Sequence, residues 1–496
     1  MNIKSSIRLF LIFTLIIVFP GKIYSQTAFP RIEPEQKALD YYRLCAQSGY
    51  SWTDLAEISL WASGDANLSA MNKLKTTVSN LNTAIRPELS EKEKADFILN
   101  YMHKNILKTY YLYQTKLDTL LSNGRYNCVS SAVFYTILCK SAGLNASGVM
   151  TKDHAFVMVH INGQNFDVET TNPYGFDPGN RKEFHDSSGK TTGFAYVPPQ
   201  NYRDRQTISQ IELVSLILNN RIGDFERANN FTASVPLAVD RAALLLGNLY
   251  SKTAEVSTSD FLFADPRKDL MDRLLNYGAS LLRSNKEEDG IRWAVFASSV
   301  YCDNNRWQEF LSAAVNNRIS RYIKEKKIQD ARTFLDSQKP FIPEADYVQF
   351  DTLMVDAELL NRVNNFKTPE EGNDVVSAID QARTSGRLPE KRASELLTYA
   401  IQKVAVSLCA APDKDWRTAI RYLENAISKY GPNRELEQSL RTYKGNLVAD
   451  YHNRFAAEWN KKNYVEAELI LNEGLAEFPG DKQLLSDKQI VAKQKR

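Results

Sequence analysis

The sequence predicts an α+β domain over residues 26–205 followed by an all-α array over residues 206–496, helix-rich overall. Three observations predict it. The chain has 496 residues but only 21 Gly and 17 Pro, about 8% against an average near 12%, so turn formers are scarce. One hairpin signature stands between residues 155 and 170. From about Gln206 onward no strand pattern returns, and amphipathic helices follow one another to the end. A composition of 43% hydrophobic and 24% charged residues is that of a globular chain. The formal charge is +3, and Lys4, Arg8 and Lys22 supply all of it. A dedicated nucleic-acid binder carries a basic excess, so no nucleic-acid partner is expected.

The N-terminus reads as a secretory signal over residues 1–25. Lys4 and Arg8 precede residues 9–19, which are apolar except for Thr14. That run is too short to span a bilayer, which takes about 20 residues. Pro20 and Gly21 break it, and Ser25 is a small residue before Gln26. The mature chain is therefore expected to begin near Gln26, without an integral membrane segment, and to be exported to the periplasm or beyond. Five cysteines, Cys45, Cys128, Cys139, Cys302 and Cys409, are an odd number, so at least one lacks an intramolecular partner. They are too sparse for a disulfide scaffold. There is no C-x-x-C, no H-x-x-x-H and no glycine-rich phosphate loop, so neither metal nor cofactor is expected.

Residues 33–121 are mostly helical in pattern. Ser90 and Glu93 form a capping box, and Phe97, Ile98, Tyr101, Ile106 and Leu107 recur near helical spacing. Asn123 and Gly124 mark a turn. Residues 128–140, CVSSAVFYTILCK, are a second helix closed by Gly143. Residues 155–161 form a strand, Asn162-Gly163 a type I′ turn, and residues 165–170 the return strand. Residues 172–205, dense in Gly, Pro, Asn and Asp, read as a long ordered loop leading out of the domain. In the array a pattern recurs at Ile328/Ala331/Leu335, Trp416/Ala419/Leu423 and Tyr464/Ala467/Leu471. The last two continue alike with Ala426 and Gly474, Tyr430 and Phe478, Pro432 and Pro479. This resembles the second half of a tetratricopeptide repeat, where a small residue lets paired helices approach. These two copies lie 48 residues apart instead of about 34, which asks for longer helices or an extra one.

One stretch carries chemistry. Cys128 falls in the first turn of its helix with Asn127 as N-cap, where free N–H groups and the helix dipole favour a thiolate. His154, opening the strand after that helix, is the candidate base, and its ring needs a carboxylate or amide to hold its tautomer. A two-residue Asn162-Gly163 loop pairs Ile161 with Gln164. Glu169 then lies diagonal to His154, with backbones ~7–8 Å apart. Asp167 falls opposite Met158, roughly 13 Å along the strand from His154. Glu169 is therefore preferred as the third residue, and a bulge that shifted the register would bring Asp167 in. Cys128 has a plainer alternative as a buried thiol or a bridge to Cys45. It cannot bridge Cys139, roughly 16 Å away along the helix axis. His103 is expected on a helix surface, His160 at the hairpin tip, His185 in a loop and His452 on a repeat helix, none with an evident partner.

The order Cys, His, acid, together with N-C-V-S-S-A-V-F-Y followed by G-L and H-A-F, resembles the transglutaminase-like superfamily over about residues 90–175. The resemblance implies a papain-like fold in which Cys128 is the nucleophile, His154 the general base and Glu169 the orienting acid, where the family usually has Asp. It implies an exported, cysteine-dependent acyl-transfer enzyme acting on a peptide or protein substrate. The amide carbonyl would pass through a thioester to water, as in a protease or amidase, or to an amine, as in a transglutaminase. The second reading is non-catalytic: a peptide-binding platform with the helical array as a scaffold for a protein partner.

Overall fold

The structure, a computed structural model, describes residues 28–47, 49–64, 68–187, 205–247, 265–301, 303–410 and 415–494. The expected signal segment and Cys302 lie outside these residues. Helices dominate, with two small sheets. The chain divides into two compact units, Met1–Asp303 and Asn304–Arg496. The division expected near residue 205 thus falls inside the first unit.

The first unit is built around the Cys128–Ser141 helix, whose residues 129–139 are all buried. A helix that is apolar on every side must be covered on every side. Helices Trp52–Ser63, Glu91–Asn105 and Gln210–Arg227 pack on it, and a sheet closes the remaining face. Strands β1 (Thr109–Tyr110) and β2 (Arg125–Tyr126) form a short parallel pair just before Cys128. Strands β3 (Asn145–Met150), β4 (Ala155–Ile161), β5 (Gln164–Val168) and β6 (Gln206–Ile208) form an antiparallel sheet in the order β5-β4-β3-β6. Asn162 and Gly163 both have positive φ, 48° and 77°, as a type I′ turn requires. The register is the expected one: Ile161 faces Gln164, Met158 faces Asp167 and Val157 faces Val168.

Several features depart from expectation. Gln206–Ile208 is a strand where none was expected, because three residues are too few to show an alternating pattern. Within residues 172–187 the chain makes a 3-10 turn at Pro178–Asn180 and a helix at Lys182–Ser187, which holds His185. The first unit runs on well beyond the β6 strand. Helices Phe231–Leu246, Pro266–Arg283 and Glu287–Val300 stack onward from Gln210–Arg227, and the N-terminal segment is stapled to them. Arg31 grips Asp240 with two bonds of 3.0 and 2.7 Å, and the Glu35 N–H donates to the same carboxylate at 2.8 Å. The Tyr301 hydroxyl donates to the Ile32 carbonyl at 2.7 Å, and Phe29 meets Trp293 edge-on at 5.5 Å. A chain cut near Asn220 would lose every one of these partners.

In the second unit each copy of the recurring pattern opens a helix: Ile328–Gln338, Trp416–Tyr430 and Tyr464–Glu477. Its Ala and Leu are buried in all three, at Ala331 and Leu335, Ala419 and Leu423, Ala467 and Leu471. Gly474 occupies the place of Ala426, and a Cβ there would stand 3.0 Å from the Tyr451 ring. The long spacing has a direct cause. Arg434–Asn460 is one helix of 27 residues, about 40 Å long. The architecture is that of a helical repeat with one lengthened member. Among the described residues no helix is long and apolar enough to cross a membrane.

Candidate functional site

Cys128 is placed by its cap. The Asn127 side chain accepts the Ser130 N–H at 2.9 Å, while the Ser130 hydroxyl oxygen accepts the Asn127 N–H at 2.9 Å. This reciprocal box satisfies two otherwise free donors and makes Cys128 the first helical residue. The thiol is half-buried on the wall of a cleft of about 320 Å³, together with Leu112, Tyr113, Met150, His154 and Leu216. Cys45 and Cys128 are both free, so the disulfide alternative does not hold.

His154 stands just before β4, its carbonyl held by the Thr151 N–H at 2.9 Å. Its Nε2 meets the Glu169 Oε2 at 2.6 Å. The other carboxylate oxygen accepts the Thr171 N–H at 3.1 Å and the Thr171 hydroxyl at 2.7 Å. Glu169 leaves Nδ1 unengaged, and Cys128, on the same cleft wall, adds to the pull on the ring proton. Burial works against the imidazolium, but the Glu169 charge and the bonds to Cys128 and Glu169 outweigh it, so His154 is held well above its ordinary value. Burial likewise opposes the Glu169 charge, and His154 with the two Thr171 donors keeps the carboxyl below its ordinary value. The pair stabilises the fold within a pH window: it is lost as pH rises through the raised His154 value, or falls through the lowered Glu169 value.

Asp167 is engaged elsewhere. Arg205 binds both of its oxygens, at 2.8 and 2.7 Å, so Asp167 is not beside His154. The structure instead adds a residue that sequence reasoning misplaced. His103 is half-buried, not on the surface, and its Nε2 bonds the Thr170 carbonyl at 3.1 Å. Its ring lies edge-on to Tyr126, with centroids 6.1 Å apart. Ser131 and Thr170 join hydroxyls at 2.9 Å, and the Tyr126 hydroxyl reaches the Thr171 carbonyl at 3.4 Å. Residues 169–171 are thus clamped from three sides. One signal was available: His103 stands four residues after the buried Leu99, on the same helical face. His160 lies between Ser147 and Asn165, at 2.9 and 2.7 Å, and His452 bonds the buried Asp487 at 2.8 Å, so both have partners that the sequence did not reveal. No group of three or more His, Cys, Asp or Glu is placed to hold a metal ion among the described residues.

Burial lowers His103 from 6.5 to about 4, against the opposing pull of the Thr170 carbonyl and the Glu169 charge. A depressed folded-state value contributes stability above the unfolded value and loses it as pH falls toward the folded one. The first unit should therefore weaken between pH 6.5 and 4, by up to roughly 3 kcal/mol from His103 alone. His103→Gln should flatten that slope. Urea-dependent labelling of the fully buried Cys139 with an acid-active pyridyl disulfide measures it. A slope that is the same in both proteins would show that His103 is not the source.

The comparisons bear on the family. No family model matches the chain, and no curated protein matches it. A crystal structure of menin, described as revealing the binding site for the Mixed Lineage Leukemia protein, is similar at a TM-score of 0.32 and 12% identity, over 84% of this chain and 93% of that one. So low a score carries no argument. The expected membership of the transglutaminase-like superfamily is overturned, and a papain-like domain is not shown. Among the described residues helices dominate and the sheets have two and four short strands, and no family model supports the resemblance. The physical reason lies in the string that carried the resemblance. Asn127 and Ser130 cap a helix, Ser131 ties that helix to Thr170, and the residues after Cys128 are apolar because the helix is buried on every side. Local packing alone demands such a string.

Proposed function

We propose that Cys128, His154 and Glu169 act together as nucleophile, proton carrier and orienting acid in a cysteine-dependent acyl transfer from amide substrates. The observation that carries this reading is the 2.6 Å His154–Glu169 bond, with Cys128 and His154 lining one cleft. The sulfur, its proton held on His154, attacks the amide carbonyl carbon. The C–N bond breaks, and the leaving amine departs with the proton from His154. Water or a second amine then gives a proton to His154 and its nucleophilic atom to the acyl carbon, freeing the sulfur. The Cys128 backbone N–H, at a helix N-terminus, is one donor for the oxyanion. The charged, apolar N-terminus of the sequence supports an exported enzyme.

Alkylation of Cys128 by iodoacetamide at pH 7, followed by peptide mass mapping, tests the reading. His154→Ala should slow it about tenfold or more, since the proton acceptor is gone. Equal rates would remove the nucleophile reading. A second reading, a non-catalytic scaffold for protein partners, is favoured by Val465 and Leu469, which stand 76% and 54% exposed on one helix of the second unit. It predicts a Cys128 indifferent to His154.

A further inference from the structure

Tyr111, Leu112 and Tyr113 are 54%, 47% and 58% exposed, three large apolar side chains in succession on one turn. Leu112 and Tyr113 line the same cleft as Cys128. Contiguous exposed apolar groups beside a cleft mark a binding surface more often than chance. The turn is also held rigidly. The Tyr111 N–H donates to the Tyr126 carbonyl at 2.7 Å, and the Gln114 N–H closes the turn on the Tyr111 carbonyl at 2.9 Å. Asn127 Nδ2 donates to the Leu112 carbonyl at 3.2 Å, and the Ser130 hydroxyl to the Gln114 carbonyl at 3.2 Å. Asn127 and Ser130 are the residues that cap the Cys128 helix, so one set of hydrogen bonds fixes both the sulfur and the turn. The Arg227 guanidinium lies over the Tyr113 ring, 5.1 Å from its centroid, and is paired with Asp224. The pair adds no net charge. A rigid apolar rim next to a nucleophile gives up little entropy when it binds.

We infer that this turn is the acyl-side subsite of the Cys128 cleft, and that it receives a large apolar side chain, aromatic above all, of a polypeptide whose adjoining amide is attacked. The inference rests on the acyl-transfer reading and narrows it to polypeptides with an aromatic or large aliphatic residue at the reacting amide. Small amides lacking such a side chain would be discriminated against.

The test uses the full chain and blocked dipeptidyl chloromethyl ketones carrying Phe or Gly, either at the residue bearing the ketone or at the one before it. The sulfur forms a thioether at the methylene carbon, the C–Cl bond breaks, and chloride leaves. Each rate is divided by that of iodoacetamide, which has no side chain to place. In the wild-type protein Phe should exceed Gly at least about tenfold at one of the two positions. In a Leu112→Ser/Tyr113→Ser protein that ratio should drop below about threefold. Both side chains are exposed, so the double variant leaves the core intact. No preference for Phe at either position, or a preference unchanged in the variant, overturns the subsite. Iodoacetamide labelling of Cys128 that does not depend on His154 overturns the acyl-transfer reading, and the subsite falls with it. Dependence on His154 without a preference for Phe overturns the subsite alone.

Discussion

Glu169→Gln should lower acyl transfer at Cys128 by about two to four orders of magnitude, on the precedent of a histidine losing its orienting carboxylate. The same change should slow iodoacetamide labelling at pH 7 in the same direction. The cause is electrostatic. Burial alone would strip the proton from His154, and the Glu169 charge is the largest influence opposing that. The amide keeps the shape but not the charge, and it can present an N–H where the ring needs an acceptor. Asp167→Asn is the matched control. Asp167 is equally a carboxylate of the same strand region, but its partner is Arg205, so labelling should stay within about twofold of wild type. A loss in Asp167→Asn with Glu169→Gln unchanged would reverse the assignment.

Gly175→Ala should destabilise the first unit by about 3–4 kcal/mol. A Cβ at Gly175 would stand 2.0 Å from the Glu169 carbonyl oxygen and 2.8 Å from its carbon. Both are backbone atoms, so no side chain can swing aside. The loop must open, at the expense of the Glu169 N–H bond to the Gly175 carbonyl at 2.8 Å and the Gly175 N–H bond to the Asn172 carbonyl at 3.0 Å. The Glu169 backbone then moves, so Cys128 labelling should slow as well. Gly179→Ala, where a Cβ meets nothing within 4 Å, should cost less than about 0.5 kcal/mol. Urea titrations of the two variants decide it, and equal midpoints would show that the loop accommodates the methyl group.

Much of the candidate site was legible because its determinants are local. Asn127 and Ser130 cap across three residues. Asn162-Gly163 sets a two-residue turn, the turn sets the register, and the register puts Glu169 rather than Asp167 within reach of His154. His103 was not legible as a partner. Helical spacing assigns it a face, but the Thr170 carbonyl that it bonds is 67 residues away. The family-level inference failed for the same reason that the local one succeeded: a capped, fully buried helix needs a string of that kind whatever fold surrounds it.

The sequence by itself determined the helix-rich character, the helix that begins at Cys128, the hairpin and its register, and the three helices that open at Ile328, Trp416 and Tyr464. Each is written in contacts between residues one to four apart or directly across a tight turn. Only the tertiary structure decided where the first unit ends. Arg31 finds Asp240 across 209 residues and Tyr301 finds Ile32 across 269, and β6 joins the sheet as three residues with no pattern of their own. Such partners are chosen by which buried surfaces and charges remain to be satisfied once the local elements have packed, and no periodicity along the chain records that choice.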